Sequence, residues 1–96
     1  MIRVLDIDKI NYLDLNLFDP SMKTFDIISK LLEEDNNVQI IKQEITFETP
    51  INVYNYKGIV FSLLFDEMID EPFISIEKKY DYKPIVDLIE PIIDKI

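Results

Sequence analysis

The sequence predicts an α+β fold: an antiparallel β-meander sheet with two amphipathic helices packed on one face, in the order β-β-α-β-β-β-β-α. Three observations lead to this prediction. Two segments repeat apolar residues at helical spacing, several others alternate at strand spacing, and strands do not alternate strictly with helices as a parallel sheet requires. The 96 residues have room for one domain, predicted to span residues 1–96.

The predicted centre of the sheet is a hairpin from Ile51 to Phe65 that contains the only glycine, Gly58. Tyr56 and Lys57 are predicted at the central positions of a type I turn, with Gly58 closing it as a bulge at positive φ. The arm from Ile59 to Phe65 is apolar on both faces, which is typical of a central strand covered on both. We expect a helix or a second copy of the chain to cover part of its second face.

Before this hairpin, alternation predicts strands over Ile2–Ile7 and Tyr12–Phe18, connected by residues 8–11. A helix then begins at Asp19-Pro20, with Asp19 as its N-cap. Its apolar stripe is Met22, Phe25, Ile28, Leu31 and Leu32. Asn36 and Asn37 suit a left-handed turn at its end.

The next strand is predicted over Val38–Glu48, with Ile41, Ile45 and Phe47 on one face, and Thr49-Pro50 breaks it. After the hairpin, the acidic residues 66–72 connect to a strand over Phe73–Lys79. The last helix is predicted from about Asp81 to Ile96, with Asp81 as its cap. The apolar stripe keeps its phase across Pro91, so this proline is expected on the outer side of a bent helix.

The composition argues against an enzyme and predicts no cofactor and no metal. Cysteine and histidine are absent, which removes disulfides, thiolate sites and the usual base at neutral pH. Asp6 and Asp8 form an acidic pair at a strand end, which could bind a metal ion or be a solvated pair, and the solvated pair is the favoured interpretation. No apolar run is long enough to cross a membrane or act as a signal peptide, so a cytoplasmic location is predicted.

The formal net charge of −9 predicts a basic protein partner, because such a chain repels nucleic acid and anionic membranes. The stretch EKKYDYK, residues 77–83, is the one locally basic and aromatic segment. Two acids interrupt it, so we interpret it as a strand-to-helix connection rather than a nucleic-acid platform.

These observations favour a small acidic protein-binding module that occupies a partner's surface, as inhibitors and immunity or antitoxin-like proteins do. The alternative is a non-catalytic structural subunit or homodimer that associates through an open sheet face or an edge strand. The acidic 66–71 segment is then either a docking surface or a solvated loop. The predicted partner-binding residues are the apolar anchors Tyr54, Tyr56 and Met68 and the carboxylates Asp66, Glu67, Asp70, Glu71, Asp87, Glu90 and Asp94.

Overall fold

A computed structural model describes residues 2–46 and 49–96. In these residues a six-stranded antiparallel sheet carries two helices in the predicted order, which confirms the α+β fold class. The elements are β1 (Arg3–Ile7), β2 (Ile10–Asp14), α1 (Met22–Glu34), β3 (Val38–Thr46), β4 (Thr49–Tyr56), β5 (Ile59–Asp66), β6 (Glu71–Glu77) and α2 (Lys83–Ile93).

The spatial order of the strands is β1-β2-β6-β5-β4-β3, with every neighbouring pair antiparallel. Strands β3 to β6 form the predicted meander, and the β1–β2 hairpin joins it by pairing β2 with β6. The segment containing α1 therefore crosses the sheet, from β2 near one edge to β3 at the other. Strand β5 lies in the interior of the sheet, as its apolar sequence predicts.

The hydrophobic core lies on one face of this sheet. Phe61 and Leu63 of β5 and Ile74 and Ile76 of β6 point into it, and each is at most 1% exposed. Both helices bury their apolar stripes against the same face, and their core residues are Phe25, Ile28, Leu32, Ile85, Ile89 and Ile92. Full burial stabilises each such side chain by about 1.5–3 kcal/mol relative to water.

One polar cluster lies within this core and connects α1 to β4. The Asn52 amide donates to Ser29 Oγ at 3.0 Å and to Tyr54 Oη at 3.1 Å. Asn52 is 7% exposed, and a buried amide without partners would destabilise the fold. The cluster thus fixes the position of α1 over β4.

Helix α1 begins later than predicted, because Ser21 rather than Asp19 is its N-cap. The Thr24 N–H donates to Ser21 Oγ at 3.4 Å, and the Ser21 N–H donates to Thr24 Oγ1 at 2.8 Å. This reciprocal capping box satisfies two backbone donors at the start of the helix.

The end of α1 also differs from the prediction. Asp35 is the C-cap in an extended conformation, and its carboxylate accepts the Asn37 N–H at 2.8 Å. Among the described non-glycine residues, positive φ occurs at Asp8, Asn16, Lys57 and Asp70. The predicted left-handed asparagines are therefore wrong, since an aspartate side chain turns the chain instead.

The central hairpin closes through Lys57 and Gly58, because Tyr56 pairs directly with Ile59. Lys57 has φ 54° and Gly58 has φ 86°, and two consecutive positive φ angles define a type I′ turn. The positive φ of Gly58 is confirmed, but the type I turn with a bulge is wrong. A two-residue I′ turn matches the twist of the paired strands better.

The first hairpin is tighter than predicted for a similar reason. Ile7 pairs with Ile10, and Asp8 takes φ 53° in the two-residue turn between them. Strand β2 therefore begins at Ile10 rather than Tyr12. It ends at Asp14, since positive φ at Asn16 takes the following residues out of the ladder.

Strand β3 contains a bulge between Ile40 and Lys42. The extra residue reverses the alternation, so that Ile45 lies on the helix-covered face while Lys42 lies on the other. The predicted shared face of Ile41 and Ile45 is therefore wrong, and Phe47 and Glu48 lie outside the described residues. Pro50 pairs with Ile45 within β4, so the predicted break at residues 49–50 is wrong as well.

The C-terminal elements differ from the prediction: β6 begins and ends two residues earlier, and α2 is shorter. Strand β6 spans Glu71–Glu77, and α2 spans Lys83–Ile93 with Tyr82 as its N-cap. Asp81 is not the N-cap. It lies one residue before the cap, and its carboxylate accepts the N–H of Lys83, the first residue of α2, at 3.0 Å. Pro91 lies inside α2 on its exposed side, as predicted.

Candidate protein-binding surface

The face of the sheet opposite the helices, which we call the open face, carries rows of side chains from all six strands. Strand register aligns one row as Leu5, Tyr12, Ser75, Ser62, Val53 and Lys42. It aligns the next as Arg3, Asp14, Phe73, Leu64, Ile51 and Glu44. Each row is apolar or uncharged at its centre and charged at one end or both.

No described helix covers this face, because both helices pack their buried residues against the opposite one. Leu5 is 41% and Ile7 55% exposed, while Val60 and Leu64 in the central strand β5 are only half-buried. Of the two covers expected for this second face, a helix is therefore wrong for the described residues, and a second copy of the chain stays a prediction. The apolar residues of β5 that point away from the core face water in the single chain.

The area of the open face is comparable to that of the largest surface patch on a typical monomeric protein, about 300–600 Å². Six strands about 4.8 Å apart span roughly 24 Å, and three rows of side chains extend about 15–20 Å along them, so the projected area is on the order of 400 Å². Apolar side chains occupy part of this area, mainly toward its centre, and exposed apolar patches rimmed by polar residues often mark interaction sites.

At one end of the open face lies a hollow of about 450 Å³ over β1, β2 and β6. Tyr12 and Phe73 contribute aromatic rings whose centroids lie 5.8 Å apart at 56°. The hollow's apolar wall is Leu5, Ile7 and Ile69, and its carboxylates are Asp14, Asp66 and Glu71. Its lining therefore combines aliphatic, aromatic and acidic groups.

The three carboxylates differ in their electrostatic surroundings. Arg3 donates two hydrogen bonds to Asp14 Oδ2, at 2.8 and 3.3 Å. This bonding lowers the pKa of Asp14, although partial burial opposes the change. Asp66 and Glu71 lie opposite each other on β5 and β6, and within the described residues neither forms an ion pair.

The predicted 66–71 carboxylates lie at this end of the sheet. Asp66 and Glu71 line the hollow, whereas Glu67, Met68 and Asp70 are exposed in the turn beyond it. The Met68 N–H donates to Asp66 Oδ1 at 2.9 Å, which orients that carboxylate. Met68 itself is 95% exposed.

The predicted carboxylates of α2 lie on the other side of the molecule. Asp87, Glu90 and Asp94 are exposed on the outer side of α2, which packs on the helix-covered face. The structure therefore does not bring them together with the 66–71 segment into one contact surface.

The two predicted tyrosine anchors have different positions. Tyr54 is 0% exposed, stacks on Phe61 at a centroid distance of 5.4 Å and accepts the Asn52 hydrogen bond. This placement removes Tyr54 from the predicted contact residues, because it has no surface to offer a partner. Tyr56 is half-buried and shares a depression of about 420 Å³ with Leu31 and Asp87, on the helix side.

The prediction missed the residues that line the hollow, notably Tyr12, Phe73 and Ile69. A signal for them exists in the sequence, because Tyr12 follows Ile10 and Phe73 precedes Ser75 at strand spacing, opposite in phase to the buried Leu13 and Ile74. Ile69 could not be found in this way, since it belongs to a turn.

The described residues contain no group of three or more acidic side chains placed to hold a metal ion. Asp6 forms an ion pair with Lys78, and Asp8 lies in the turn after β1. Within residues 2–46 and 49–96, neither helix has the length and apolar content needed to span a bilayer.

Comparison of the chain with protein-family models, with curated proteins and with solved structures found no match.

Proposed function

We propose that this chain is a small acidic protein-binding module that acts by occupying a partner's surface, in the manner of an inhibitor or an immunity or antitoxin-like protein. The observation that carries the proposal is the open face, with partly exposed apolar residues such as Leu5, Ile7 and Leu64, which the described helices leave uncovered. A projected area on the order of 400 Å² is about half of what one partner contributes to a standard interface, near 800 Å². The exposed acidic turn at residues 67–70 would extend the contact.

The expected partner is basic, and we propose no catalytic role for the chain itself. The formal charge of −9 supports attraction to a basic protein and repulsion of nucleic acid and anionic membranes. A cytoplasmic location stays a prediction from composition.

Two isoleucines allow a matched test of the proposed surface. Ile7 in β1 is 55% exposed on the open face, and Ile45 in β3 is 74% exposed on the helix side. Each lies in an edge strand, so replacement by asparagine disturbs the fold little. We would capture partners from native cell extract with the wild-type chain, with Ile7→Asn and with Ile45→Asn.

We expect the wild type and Ile45→Asn to capture the same partner protein and Ile7→Asn to fail to capture it. Recovery of only the chain itself, or equal loss in both variants, would contradict it.

The alternative function is a structural subunit or homodimer, in which a second copy covers the open face. The same apolar surface favours this alternative, since an exposed sheet face can pack against another sheet. Sedimentation at micromolar concentration separates the two: the binding module stays monomeric, whereas the homodimer does not.

A further inference from the structure

We propose that the hollow over β1, β2 and β6 receives a segment of another protein that carries arginine or lysine together with apolar side chains. This inference rests on the proposed function and specifies its partner. It follows from the lining of the hollow, from the charges at its rim and from the poor fit of a second copy.

The lining suits a long basic side chain. Leu5, Ile7 and Ile69 provide aliphatic surface for the methylene stem, which arginine and lysine bury while keeping the charge at the rim. The rings of Tyr12 and Phe73 can attract a cation that lies over their faces. The volume of about 450 Å³ is within the range of sites that enclose small ligands, so it has room for more than one side chain.

The rim supplies the charge complementarity. Asp66 and Glu71 are directly opposite each other on neighbouring strands, where like charges destabilise a sheet. Arg3 is already bonded to the third carboxylate, Asp14. A cation from a partner, placed between Asp66 and Glu71, would remove their repulsion and form charge-assisted hydrogen bonds.

A second copy of the chain fits this surface less well. The strand positions of the open face carry two basic residues against five acidic ones, which are Arg3, Lys42, Asp14, Glu44, Asp66, Glu71 and Glu77. Two stacked copies would be related by a two-fold axis between the sheets.

An axis along the strands places Asp66 of one copy against Glu71 of the other, although it also places Arg3 against Glu44. An axis across the strands places Glu71 against Glu77. Either arrangement brings carboxylates together, at a cost in binding free energy.

The test uses a short synthetic peptide of alternating leucine and arginine, with a leucine–glutamate peptide of equal length as its counterpart. Each is titrated into the isotopically labelled chain, and amide chemical shifts are followed by NMR. We expect the basic peptide to bind and to shift the amides of Tyr12, Ile69 and Phe73. Absence of binding, shifts confined to the helix side, or equal binding of the acidic peptide would overturn the inference.

Two charge-matched double variants then localise the interaction. Asp66→Asn/Glu71→Gln removes two carboxylates from the hollow, and Asp26→Asn/Glu34→Gln removes two exposed carboxylates from α1. At low salt the first should weaken the basic peptide's binding about fivefold and the second less than about twofold, since each exposed ion pair contributes about two- to threefold in affinity. Equal losses would mean only that net charge attracts the peptide, and the site would be wrong.

The inference and the proposed function fail separately. Suppose that Ile7→Asn no longer captures a protein that Asp66→Asn/Glu71→Gln still captures as well as the wild type does. This result would support the binding module and overturn the inference that the partner contributes a basic side chain. Self-association that Ile7→Asn abolishes would overturn the inference in favour of a second copy.

Discussion

Two adjacent leucines in β5 offer a quantitative test of a sheet that is covered on one face only. Leu63 is 0% exposed beneath the helices, while Leu64 is half-buried on the open face. The substitutions Leu63→Ala and Leu64→Ala therefore delete the same atoms from the same strand, in opposite environments.

The expected costs in unfolding free energy differ severalfold. Leu63→Ala removes buried methyl and methylene groups and leaves a cavity, which costs about 3–5 kcal/mol. Leu64→Ala loses about half the transfer free energy of three carbons at about 0.8 kcal/mol each and leaves no cavity, so it should cost about 1 kcal/mol. A chain of this length has roughly 5–14 kcal/mol of total stability, so the first variant loses a large fraction.

Urea unfolding followed by far-ultraviolet circular dichroism measures both costs. With a slope of about 1–2 kcal/mol per molar urea, the two midpoints should differ by at least about 1 M. Equal destabilisation by the two substitutions would refute the reasoning, because it would mean that something packs on Leu64 as tightly as the helices pack on Leu63.

Three further predictions concern the turn, the core and the edge. Gly58→Ala should destabilise by about 1–2 kcal/mol in urea, because φ is +86° and the new Cβ would meet no atom within 4 Å, which leaves only backbone strain; no loss would contradict the type I′ turn. Burial raises the pKa of Tyr54 above its ordinary 10.0, so unfolding releases a proton and stability should fall as pH rises beyond about 10. Tyr54→Phe should flatten this decline, and an unchanged slope would contradict its assignment to Tyr54. The Arg3 hydrogen bonds lower the pKa of Asp14, so its contribution of less than about 1 kcal/mol should be complete at neutral pH and disappear on acidification through the carboxylate range. Asp14→Asn should remove this part of the acid dependence, and a titration curve identical to that of the wild type would contradict it.

The element types follow from the sequence because the apolar period is strong in each. The stripe at Phe25, Ile28 and Leu32 and the alternation at Phe61, Leu63 and Phe65 match the buried residues of the structure. Element ends were less predictable, because they depend on competition between nearby residues. Ser21 prevailed over Asp19 as the cap since Thr24 can reciprocate its hydrogen bond.

The face assignments failed where a local irregularity reverses the alternation. The bulge after Ile40 moves Ile45 to the helix side. A prediction that assumes strict alternation along the strand cannot locate such a bulge. The strand order was not predictable either, because residues 15–21 and α1 carry the chain across the sheet to β3.

Among the predicted contact residues, the positions of two carboxylates agree with the prediction, whereas the position of one tyrosine does not. Asp66 and Glu71 line the hollow, as an acidic docking surface requires. Tyr54 was chosen as an amphipathic aromatic residue, but its strand phase places it in the core with Phe61. Once the sheet faces are known, the apolar residues out of phase with the core identify the open face.

The most direct test of the open face is the accessibility of its methyl groups to a soluble paramagnetic probe. In the dilute, methyl-labelled chain, NMR signals of Val60 and Leu64 should broaden strongly, while those of Leu63 and Ile74 should remain sharp. Equal protection of all four residues would show that the second face of the sheet is covered, and would contradict a free binding surface there.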